Sequence, residues 1–212
     1  MNLADLRREY TQGGLRRADL DPNPLGQFHQ WFEQALKSEL LEPSAMTLAT
    51  ADRAGRPSAR IVLLKAADER GFTFFTNYES RKGAELAENP HAALVLYWPE
   101  LEREILIAGA ITKVSRAESE QYFALRPRGS QLGAWVSGQS SIVPDRAFLE
   151  ARLAEQEARF AAHAVELPPY WGGYVLSPER IEFWQGRPNR LHDRFQYSKQ
   201  ADGSWSIDRL SP

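Results

Sequence analysis

The stretch WGGYVLSPERIEFWQG, residues 171–186, decides the fold class of this chain. Its two apolar and aromatic halves, WGGYVLSP (171–178) and RIEFWQG (180–186), predict two strands separated by a turn. Two further segments of the same kind, DRFQYSK (193–199) and SWSIDRL (204–210), follow closely. Strands joined by such short connections pair antiparallel, so the stretch predicts an antiparallel sheet.

The same pattern extends towards the N-terminus, where five more segments predict strands: AMTLATA (45–51), SARIVLLK (58–65), GFTFFTN (71–77), HAALVLYW (91–98) and EILIAGAITKVS (104–115). Helical patterns are found near residues 21–40, 80–90, 116–126, 129–138 and 144–162. There is no GxGxxG motif and no long alternation of strands and helices, which counts against a doubly wound parallel sheet. We therefore predict a mainly β fold with peripheral helices (α+β), built on a closed or nearly closed antiparallel barrel.

Size and composition limit the class of protein. The chain has 212 residues, of which 42% are hydrophobic and 11% aromatic, enough for a folded core. We predict a flexible N-terminal arm over residues 1–22 and a single domain over residues 23–212. The formal net charge of −2 argues against a nucleic-acid-binding domain, which is usually strongly basic. The apolar runs are far shorter than the roughly 20 residues that cross a bilayer, and no apolar signal core begins the chain, so we expect a cytoplasmic protein without a membrane anchor.

Several common catalytic and metal-binding motifs are missing from the sequence. There is no cysteine, which excludes disulfides and thiolate metal sites. The four histidines form no HExxH pattern, and the chain has neither a GxSxG elbow nor a Walker lysine loop. The sequence therefore predicts no metal site, no hydrolase triad and no nucleoside triphosphatase.

A cationic pair stands at the start of a predicted short helix. Arg81 and Lys82 follow Ser80, the predicted N-cap, and cations at this end of a helix oppose its dipole. A bound phosphate would resolve the conflict, because free backbone N–H groups and both cations would converge on it. The alternative is two exposed side chains at a small local cost.

A second candidate anion site follows in the segment QYFALRPRGS. Tyr122 and Arg126 are four residues apart on one predicted helix and would share a face, and Ser130 follows in a tight connection. A phenol, a guanidinium and a hydroxyl group together can hold a phosphate monoester, although each alone is unremarkable.

Two further cationic segments are ambiguous from their residues alone. RIVLLK, which runs from Arg60 to Lys65, is best explained as a buried core strand whose charged ends reach solvent. In RLHDR, an extended backbone would place Arg190, His192 and Arg194 on one face, with Asp193 as the only nearby acid. That row indicates either an anion site or a solvated edge strand.

Aromatic residues accompany these cations, which suits phosphorylated aromatic ligands. Several separate motifs, in order and at similar spacing, also resemble the pyridoxamine 5′-phosphate oxidase family, from about residue 4 to the C-terminus. The motifs are RREYTQGGLRRADL, RIVLLK, FFTNYESRKG, RPRGSQLGAWVSGQSS, PPYWGGYVLSPERIEFWQG and RLHDRFQY.

The resemblance implies a split β-barrel that forms a homodimer and binds flavin mononucleotide (FMN) at the subunit interface. It also implies an enzyme that oxidises pyridoxamine or pyridoxine 5′-phosphate to pyridoxal 5′-phosphate, in the salvage of vitamin B6. The electron acceptor would be dioxygen and the second product hydrogen peroxide. No nucleic acid, membrane or metal is implied.

The resemblance also assigns roles to residues that match the family motifs. The cofactor-binding residues would be Arg60, Ile61, Val62, Leu63, Leu64, Lys65, Phe75, Thr76, Arg81, Lys82, Glu104, Gln139, Ser140, Trp184 and Arg194. The substrate-binding residues would be Arg7, Arg8, Glu9, Tyr10, Lys65, Tyr122, Arg126, Ser130, Arg190, Leu191 and His192. Of these, Arg190 and His192 would be the catalytic pair over the substrate ring.

This chain departs from the family pattern at two of these positions. Glu104 stands where a glutamine is expected, and an acid there would disfavour the anionic reduced flavin unless it is protonated or neutralised by a neighbour such as Arg103. Phe75 stands where tyrosine is common, so one hydroxyl group is missing.

Two alternative functions stay open at this point. One is another split-barrel flavoprotein, such as a flavin reductase, which would not need the set of Tyr122, Arg126, Ser130, Arg190 and His192. The other is a carrier that binds FMN or pyridoxal phosphate without turnover.

Overall fold

The computed structural model describes residues 9–212 and contains one nine-stranded sheet with five α-helices in that range. The strands are β1 (Ala45–Ala51), β2 (Pro57–Leu63), β3 (Ala66–Asp68), β4 (Gly71–Asn77), β5 (His91–Trp98), β6 (Arg103–Lys113), β7 (Trp171–Gln185), β8 (Asp193–Lys199) and β9 (Trp205–Leu210). The helices are α1 (Pro24–Lys37), α2 (Arg81–Glu88), α3 (Arg116–Ala124), α4 (Arg128–Val136) and α5 (Arg146–Arg159). The prediction of a mainly β, antiparallel fold with peripheral helices is confirmed.

The long strand β7 organises the sheet. The strand order is β2-β1-β5-β6-β7-β4-β3, and β8 also pairs with β7 and carries β9. Along the edge of β7 away from β6, the first part (171–176) pairs with β4 and the last part (180–185) pairs with β8. One strand therefore has two different neighbours on the same edge, which splits the sheet as it curls.

The predicted turn between residues 178 and 180 is wrong, because β7 passes through this point without a break. The register between β6 and β7 shifts at Ala108 and Gly109, opposite Pro178. A bulge of this kind accommodates a proline inside a sheet and bends the strand. Gly109 is needed there, since a Cβ atom would lie 2.1 Å from the backbone oxygen of Ser177.

Aromatic side chains fill the core between the sheet and helix α1. Phe28 of α1 meets Phe72 edge-on at 4.9 Å between ring centroids, and Trp31 meets Phe183 in the same way at 5.2 Å. Edge-to-face pairs of this kind add to the free energy of burial. The periodicity that predicted an amphipathic first helix is thus confirmed, and α1 is anchored to β4 and β7.

Strand β2 differs from its prediction as a buried core strand. It stands at the end of the strand order, and its burial alternates, with Ile61 64% exposed. The apolar run in RIVLLK therefore covers both faces of an edge strand. Leu64, just after the strand, is the buried member of the run.

The predicted helices are confirmed, but the positions of Arg126 and Ser130 relative to them need correction. Helix α2 begins after Ser80, whose Oγ accepts a hydrogen bond from the backbone N–H of Gly83. Helix α3 ends at Ala124, so Arg126 lies beyond the helix. The prediction from the four-residue spacing, that Tyr122 and Arg126 lie on one helix, is therefore wrong. Ser130 lies in the first turn of α4.

The segment from residue 9 onwards packs against the domain. Leu15 is 6% exposed and belongs to the core, and its N–H donates to Asp193 at 3.0 Å. The Tyr197 hydroxyl group donates to the backbone oxygen of Asp21 at 2.6 Å. The described part of the predicted arm, residues 9–22, is therefore attached to the domain at Leu15 and Asp21, although most of its side chains are exposed. Arg7 and Arg8 lie outside the described residues. Within residues 9–212, no helix is long and apolar enough to cross a membrane.

The start of α2 depends on a close approach at Gly83. A Cβ atom there would lie 2.0 Å from the backbone oxygen of Tyr78, so Gly83→Ala must push the helix away from the preceding turn. We expect a loss of about 1–3 kcal/mol in the free energy of unfolding, measured by urea denaturation. The matched control is Gly129→Ala in α4, where an added Cβ meets nothing within 4 Å and should be neutral or stabilising. Equal stability of the two variants would contradict this role of Gly83.

Candidate functional site

A cavity of about 800 Å³ lies between β2, β4, the start of α2 and the connection from α3 to α4. Five cationic side chains line it, and no acidic side chain of the described residues does. The lining comprises Ser58, Ala59, Arg60, Ile61, Val62, Leu63, Lys65, Phe75, Thr76, Arg81, Lys82, Tyr122, Arg126, Pro127, Ser130, Gln139, Ser140 and Trp171. An opening with this charge attracts anions.

Fourteen of the residues predicted from the sequence to bind cofactor or substrate are brought together here. They are Arg60, Ile61, Val62, Leu63, Lys65, Phe75, Thr76, Arg81, Lys82, Tyr122, Arg126, Ser130, Gln139 and Ser140. Leu64 does not line the cavity, because it is buried in the core at 8% exposure. Ser58, Ala59, Pro127 and Trp171 also line it and were not among the predicted residues.

The start of α2 holds a buried ammonium group. Lys82 is 8% exposed, and its Nζ donates to Gln139 Oε1 at 2.7 Å and to Ser80 Oγ at 3.3 Å. Burial lowers the pKa of Lys82, and the charge of Arg60 lowers it further, while Glu85 opposes the shift. A buried cation at a helix N-terminus, with another cation beside it, would be stabilised by an anion bound in the cavity.

Glu85, one turn into α2, holds two of the cavity arginines in place. Its Oε1 accepts from Arg81 Nε at 2.9 Å, and its Oε2 lies 3.3 Å from Arg60 Nη2. The hydroxyl groups of Thr50 and Ser58 also donate to Oε2. Burial raises the pKa of the Glu85 carboxyl group, but these hydrogen bonds and charges outweigh burial and bring the pKa to about 2.

Sequence reasoning missed Glu85, although one signal was present. Arg81 and Glu85 are four residues apart on a helix, a spacing at which opposite charges meet. The contact with Arg60, 25 positions away, could not be seen in the sequence. The conflict between the cations and the helix dipole is thus partly resolved within the chain.

Three parallel rings form the opposite wall. The rings of Phe75 and Tyr122 stack with 3.9 Å between centroids, and the Trp171 ring is parallel to Tyr122 within 2°. The guanidinium group of Arg126 lies 4.6 Å above the Trp171 ring. Its Nη1 is buried and has no hydrogen-bond partner in the described part of the chain.

A second group of predicted residues lies on the face of β6, β7 and β8. Glu104 is directly opposite Trp184, and Trp184 is directly opposite Arg194, so the three share one face. The rings of Tyr10 and His192 lie 5.4 and 4.6 Å from that of Trp184. We call this group the Trp184 cluster; its members are Tyr10, Glu104, Glu182, Trp184, His192 and Arg194.

Arg103 does not neutralise the charge of Glu104, contrary to the possibility raised from the sequence. Arg103 points away from it, stacks 4.4 Å over Trp31 and donates to Gln185. Arg194 is the cation near Glu104, but its hydrogen bonds go to Glu182. Its Nε donates to Glu182 Oε1 at 2.6 Å, and its Nη2 donates to Glu182 Oε2 at 3.1 Å. Burial and the charge of Glu182 therefore raise the pKa of Glu104, against the effect of Arg194.

The segment RLHDR is not a continuous strand. Residues Pro188–Arg190 form a 3₁₀ turn, Arg190 has a φ of 62°, and β8 begins at Asp193. The predicted alternation of Arg190, His192 and Arg194 is therefore wrong for Arg190, because Pro188 starts a turn there. Arg190 and Leu191 are exposed. A left-handed backbone at an arginine costs free energy and is often found at functional sites.

One hydrogen bond of His192 determines which tautomer its neutral ring adopts. Its Nδ1 accepts from the backbone N–H of Arg187 at 3.1 Å, which places the ring proton on Nε2. Burial lowers the pKa of His192, as do the charges of Arg190 and Arg194. The arginines of the segment are partly compensated within the chain, since Arg187 lies 3.5 Å from Asp193.

The cavity and the Trp184 cluster are separate in one chain. Trp171 lines the cavity at the start of β7 and Trp184 lies thirteen positions further along the same strand. This is roughly 40 Å of strand at about 3.3 Å per residue. None of the described members of the cluster lines the cavity. Glu9, also predicted to bind substrate, is exposed outside both groups.

Comparison with known proteins gives a consistent result across the chain. A family model described as pyridoxamine 5′-phosphate oxidase matches residues 32–160, and one described as the pyridoxine 5′-phosphate oxidase C-terminal dimerisation region matches residues 171–212. The pyridoxine/pyridoxamine 5′-phosphate oxidase 1 of Ralstonia nicotianae is 61% identical over 211 residues, covering 100% of this chain and 99% of that protein. The enzyme of that name without the numeral from Paraburkholderia phymatum is 59% identical, covering 99% of each chain.

Solved structures agree with this architecture. PhzG from Burkholderia lata, in complex with tetrahydrophenazine-1-carboxylic acid, superposes with a TM-score of 0.89 at 32% identity, covering 95% of this chain and 99% of that one. A pyridoxamine 5′-phosphate oxidase-related, FMN-binding protein from Nostoc punctiforme gives a TM-score of 0.72 at 18% identity, covering 91% and 100%. The second likeness shows the fold alone.

The position of Glu85 predicts an acid-dependent stability. Because its pKa is lowered from 4.5 to about 2, ionised Glu85 stabilises the fold above pH 4.5, and this stabilisation is lost as the pH falls towards 2. We expect Glu85→Gln to lower the free energy of unfolding by about 2 kcal/mol at pH 7, and by much less at pH 3. Urea denaturation at the two pH values measures both.

The control is Glu150→Gln. Glu150 pairs with Arg146 at 3.0 Å with the same four-residue spacing, but both side chains are largely exposed. Its replacement should change stability by roughly 0.5 kcal/mol or less at either pH. A Glu85→Gln deficit that is the same at pH 7 and pH 3 would contradict the role of the carboxylate charge.

Proposed function

The chain belongs to the pyridoxamine 5′-phosphate oxidase family, and we propose that it oxidises pyridoxamine or pyridoxine 5′-phosphate to pyridoxal 5′-phosphate with FMN as cofactor. Dioxygen is the electron acceptor and hydrogen peroxide the second product. The amine substrate also consumes water and releases ammonia. The observation that carries this proposal is a single cavity with five cationic side chains and an aromatic wall.

The residues of the cavity fit a phosphorylated flavin. Lys82 is a buried ammonium group, and Arg126 Nη1 is a buried donor that no described residue satisfies. An anion relieves both deficits. Two groups of cations, at the start of α2 and around Arg126, suit two phosphates, one on the cofactor and one on the substrate.

We assign the first group to the cofactor. Arg60, Arg81 and Lys82 would hold the phosphate of FMN at the N-terminus of α2, with Gln139 fixing the lysine. Glu85 limits the net charge of this group and fixes the two guanidinium groups. The bound flavin would supply the redox chemistry by accepting two electrons from the substrate and passing them to dioxygen.

We assign the second group to the substrate. Lys65, Tyr122, Arg126 and Ser130 would hold its phosphate, far from the carbon that is oxidised. Binding energy from this remote group holds the reacting carbon in position, which contributes to the rate without contact with that carbon. The stack of Phe75 on Tyr122 fixes the direction of the phenol.

The Trp184 cluster would complete the site from a second copy of the chain. The match to a dimerisation region covers residues 171–212, which include the cluster's residues on β7 and β8. Ile61 on the cavity rim is 64% exposed, and a second copy would cover it. Arg190 and the neutral His192, with its Nε2 proton, would then orient the substrate ring through its oxygen and its C4′ group.

The direct test is oxidation in air. The flavin-loaded protein and pyridoxine 5′-phosphate should yield pyridoxal 5′-phosphate and hydrogen peroxide in equal amounts, measured by absorbance and by a coupled peroxidase. Pyridoxine without a phosphate group is the control. It should react far more slowly, because it has no phosphate for Arg126 to bind. Retained flavin without product would overturn the proposal in favour of a carrier or another flavoprotein.

The shared site predicts complementation between two inactive variants. Arg126→Met removes a charge from the cavity, and Arg190→Met changes the segment beside the Trp184 cluster. The Arg190→Met variant should lose most of its turnover but keep its bound flavin. After subunit exchange, half the dimers are mixed and each has one intact site, so about a quarter of the wild-type activity should return. If both variants are inactive alone and no activity returns, each site belongs to a single chain.

A further inference from the structure

Trp171 is a cavity residue to which no binding role has been assigned. It is 7% exposed, it begins β7, and it pairs with Asn77 of β4. Its ring lies 5.3 Å from Phe123 in an edge contact and 5.6 Å from Phe75 in a parallel one. Rings packed from two directions have little rotational freedom, so the plane of the indole is fixed.

Arg126 is held differently from the other cavity arginines. Arg60 and Arg81 are paired with the carboxylate of Glu85. In the described part of the chain, by contrast, the partners of the Arg126 guanidinium group are ring faces, Trp171 at 4.6 Å and Phe123 at 5.4 Å. Contact with an aromatic face fixes a guanidinium group without neutralising its charge.

This difference has an electrostatic consequence for an incoming phosphate. A carboxylate beside Arg126 would repel the phosphate and compete for the same N–H donors. The indole face does neither, and Nη1 still has no hydrogen-bond partner among the described residues. Burial lowers the pKa of Arg126, so the charge is held at a cost that an anion reduces.

We propose that Trp171 is a positioning residue, which holds Arg126 in the orientation that binds the substrate phosphate and so sets the preference for phosphorylated substrates. This inference rests on the proposed function for the identity of the substrate. The indole needs no contact with the phosphate itself, because it acts through the guanidinium group.

The experiment compares Trp171→Leu with Trp171→Phe in the flavin-loaded protein. The probes are inorganic phosphate, followed by ³¹P line broadening, and pyridoxine 5′-phosphate, followed by turnover. Leucine removes the aromatic face, so we expect the Kd for phosphate and the KM to rise roughly tenfold, equivalent to about 1.4 kcal/mol. Phenylalanine keeps an aromatic face and should restore most of the phosphate affinity. In both variants flavin affinity should change much less than phosphate affinity, because Arg60, Arg81 and Lys82 are untouched.

Trp135→Leu is the matched control for a purely structural effect. Trp135 packs in the same hydrophobic cluster and also stacks with an arginine, Arg159 at 4.4 Å, but it does not line the cavity. It should lose a similar amount of thermal stability without a change in phosphate affinity. A Trp135→Leu protein that binds phosphate as weakly as Trp171→Leu would overturn the proposal.

A double-mutant cycle tests whether Trp171 acts through Arg126. In an Arg126→Met background, Trp171→Leu should add little to the loss of phosphate affinity, because the group it positions is gone. Full multiplication of the two losses would show that Trp171 acts independently. Failure of the proposed oxidation would be seen in the wild-type protein, whereas phosphate binding tests the role of Trp171 without turnover.

Discussion

The pairing of β7 with two different strands along one edge separates the two groups of candidate site residues. Its first residues bond to β4 and its last ones to β8, while β6 follows its other edge almost throughout. The bulge opposite Pro178 lets the strand bend between the two pairings. Trp171 therefore lies at the cavity, and Trp184 lies thirteen residues further along the same strand and does not line it. In the proposed dimer, a site that uses both ends of the strand would take them from two chains.

The cavity confines several positive charges in a small volume, and the fold stabilises them in two ways. At the start of α2 a buried carboxylate, Glu85, pairs with arginines; at the opposite wall an indole, Trp171, stacks with one. The two solutions respond differently to acid, because a carboxylate loses its charge and an aromatic ring has none to lose. The two arrangements also differ in the positive charge that stays available to an anionic ligand. An arginine paired with a carboxylate is partly neutralised, whereas an arginine stacked on an aromatic ring keeps its full charge.

Much of this could be predicted from the sequence, for local reasons. Apolar and aromatic runs between turn residues predicted the strands, and Ser80 predicted the start of α2, because strand propensity and helix capping are properties of neighbouring residues. The continuity of β7 was missed, since a proline usually ends a strand and the bulge that tolerates it depends on Gly109 of another strand. Five of the fourteen cavity residues, Arg81, Lys82, Tyr122, Arg126 and Ser130, were anion-site candidates from their residue types and spacing, and the others were assigned through family resemblance. The contact between Arg60 and Glu85 depends on tertiary packing that sequence spacing does not contain.

The departure at Glu104 shows how assembly would change the chemistry of a single residue. In one chain, burial and the neighbouring Glu182 raise the pKa of Glu104, since Arg194 is already bonded to Glu182. In the proposed dimer the Trp184 cluster faces the cationic cavity of the other copy, whose positive charges lower the pKa of a nearby carboxyl group. Burial in the interface acts in the opposite direction. In that dimer the protonation of Glu104 would therefore depend on assembly and on the phosphates that neutralise the cavity, a dependence that a glutamine, which does not titrate, would not have.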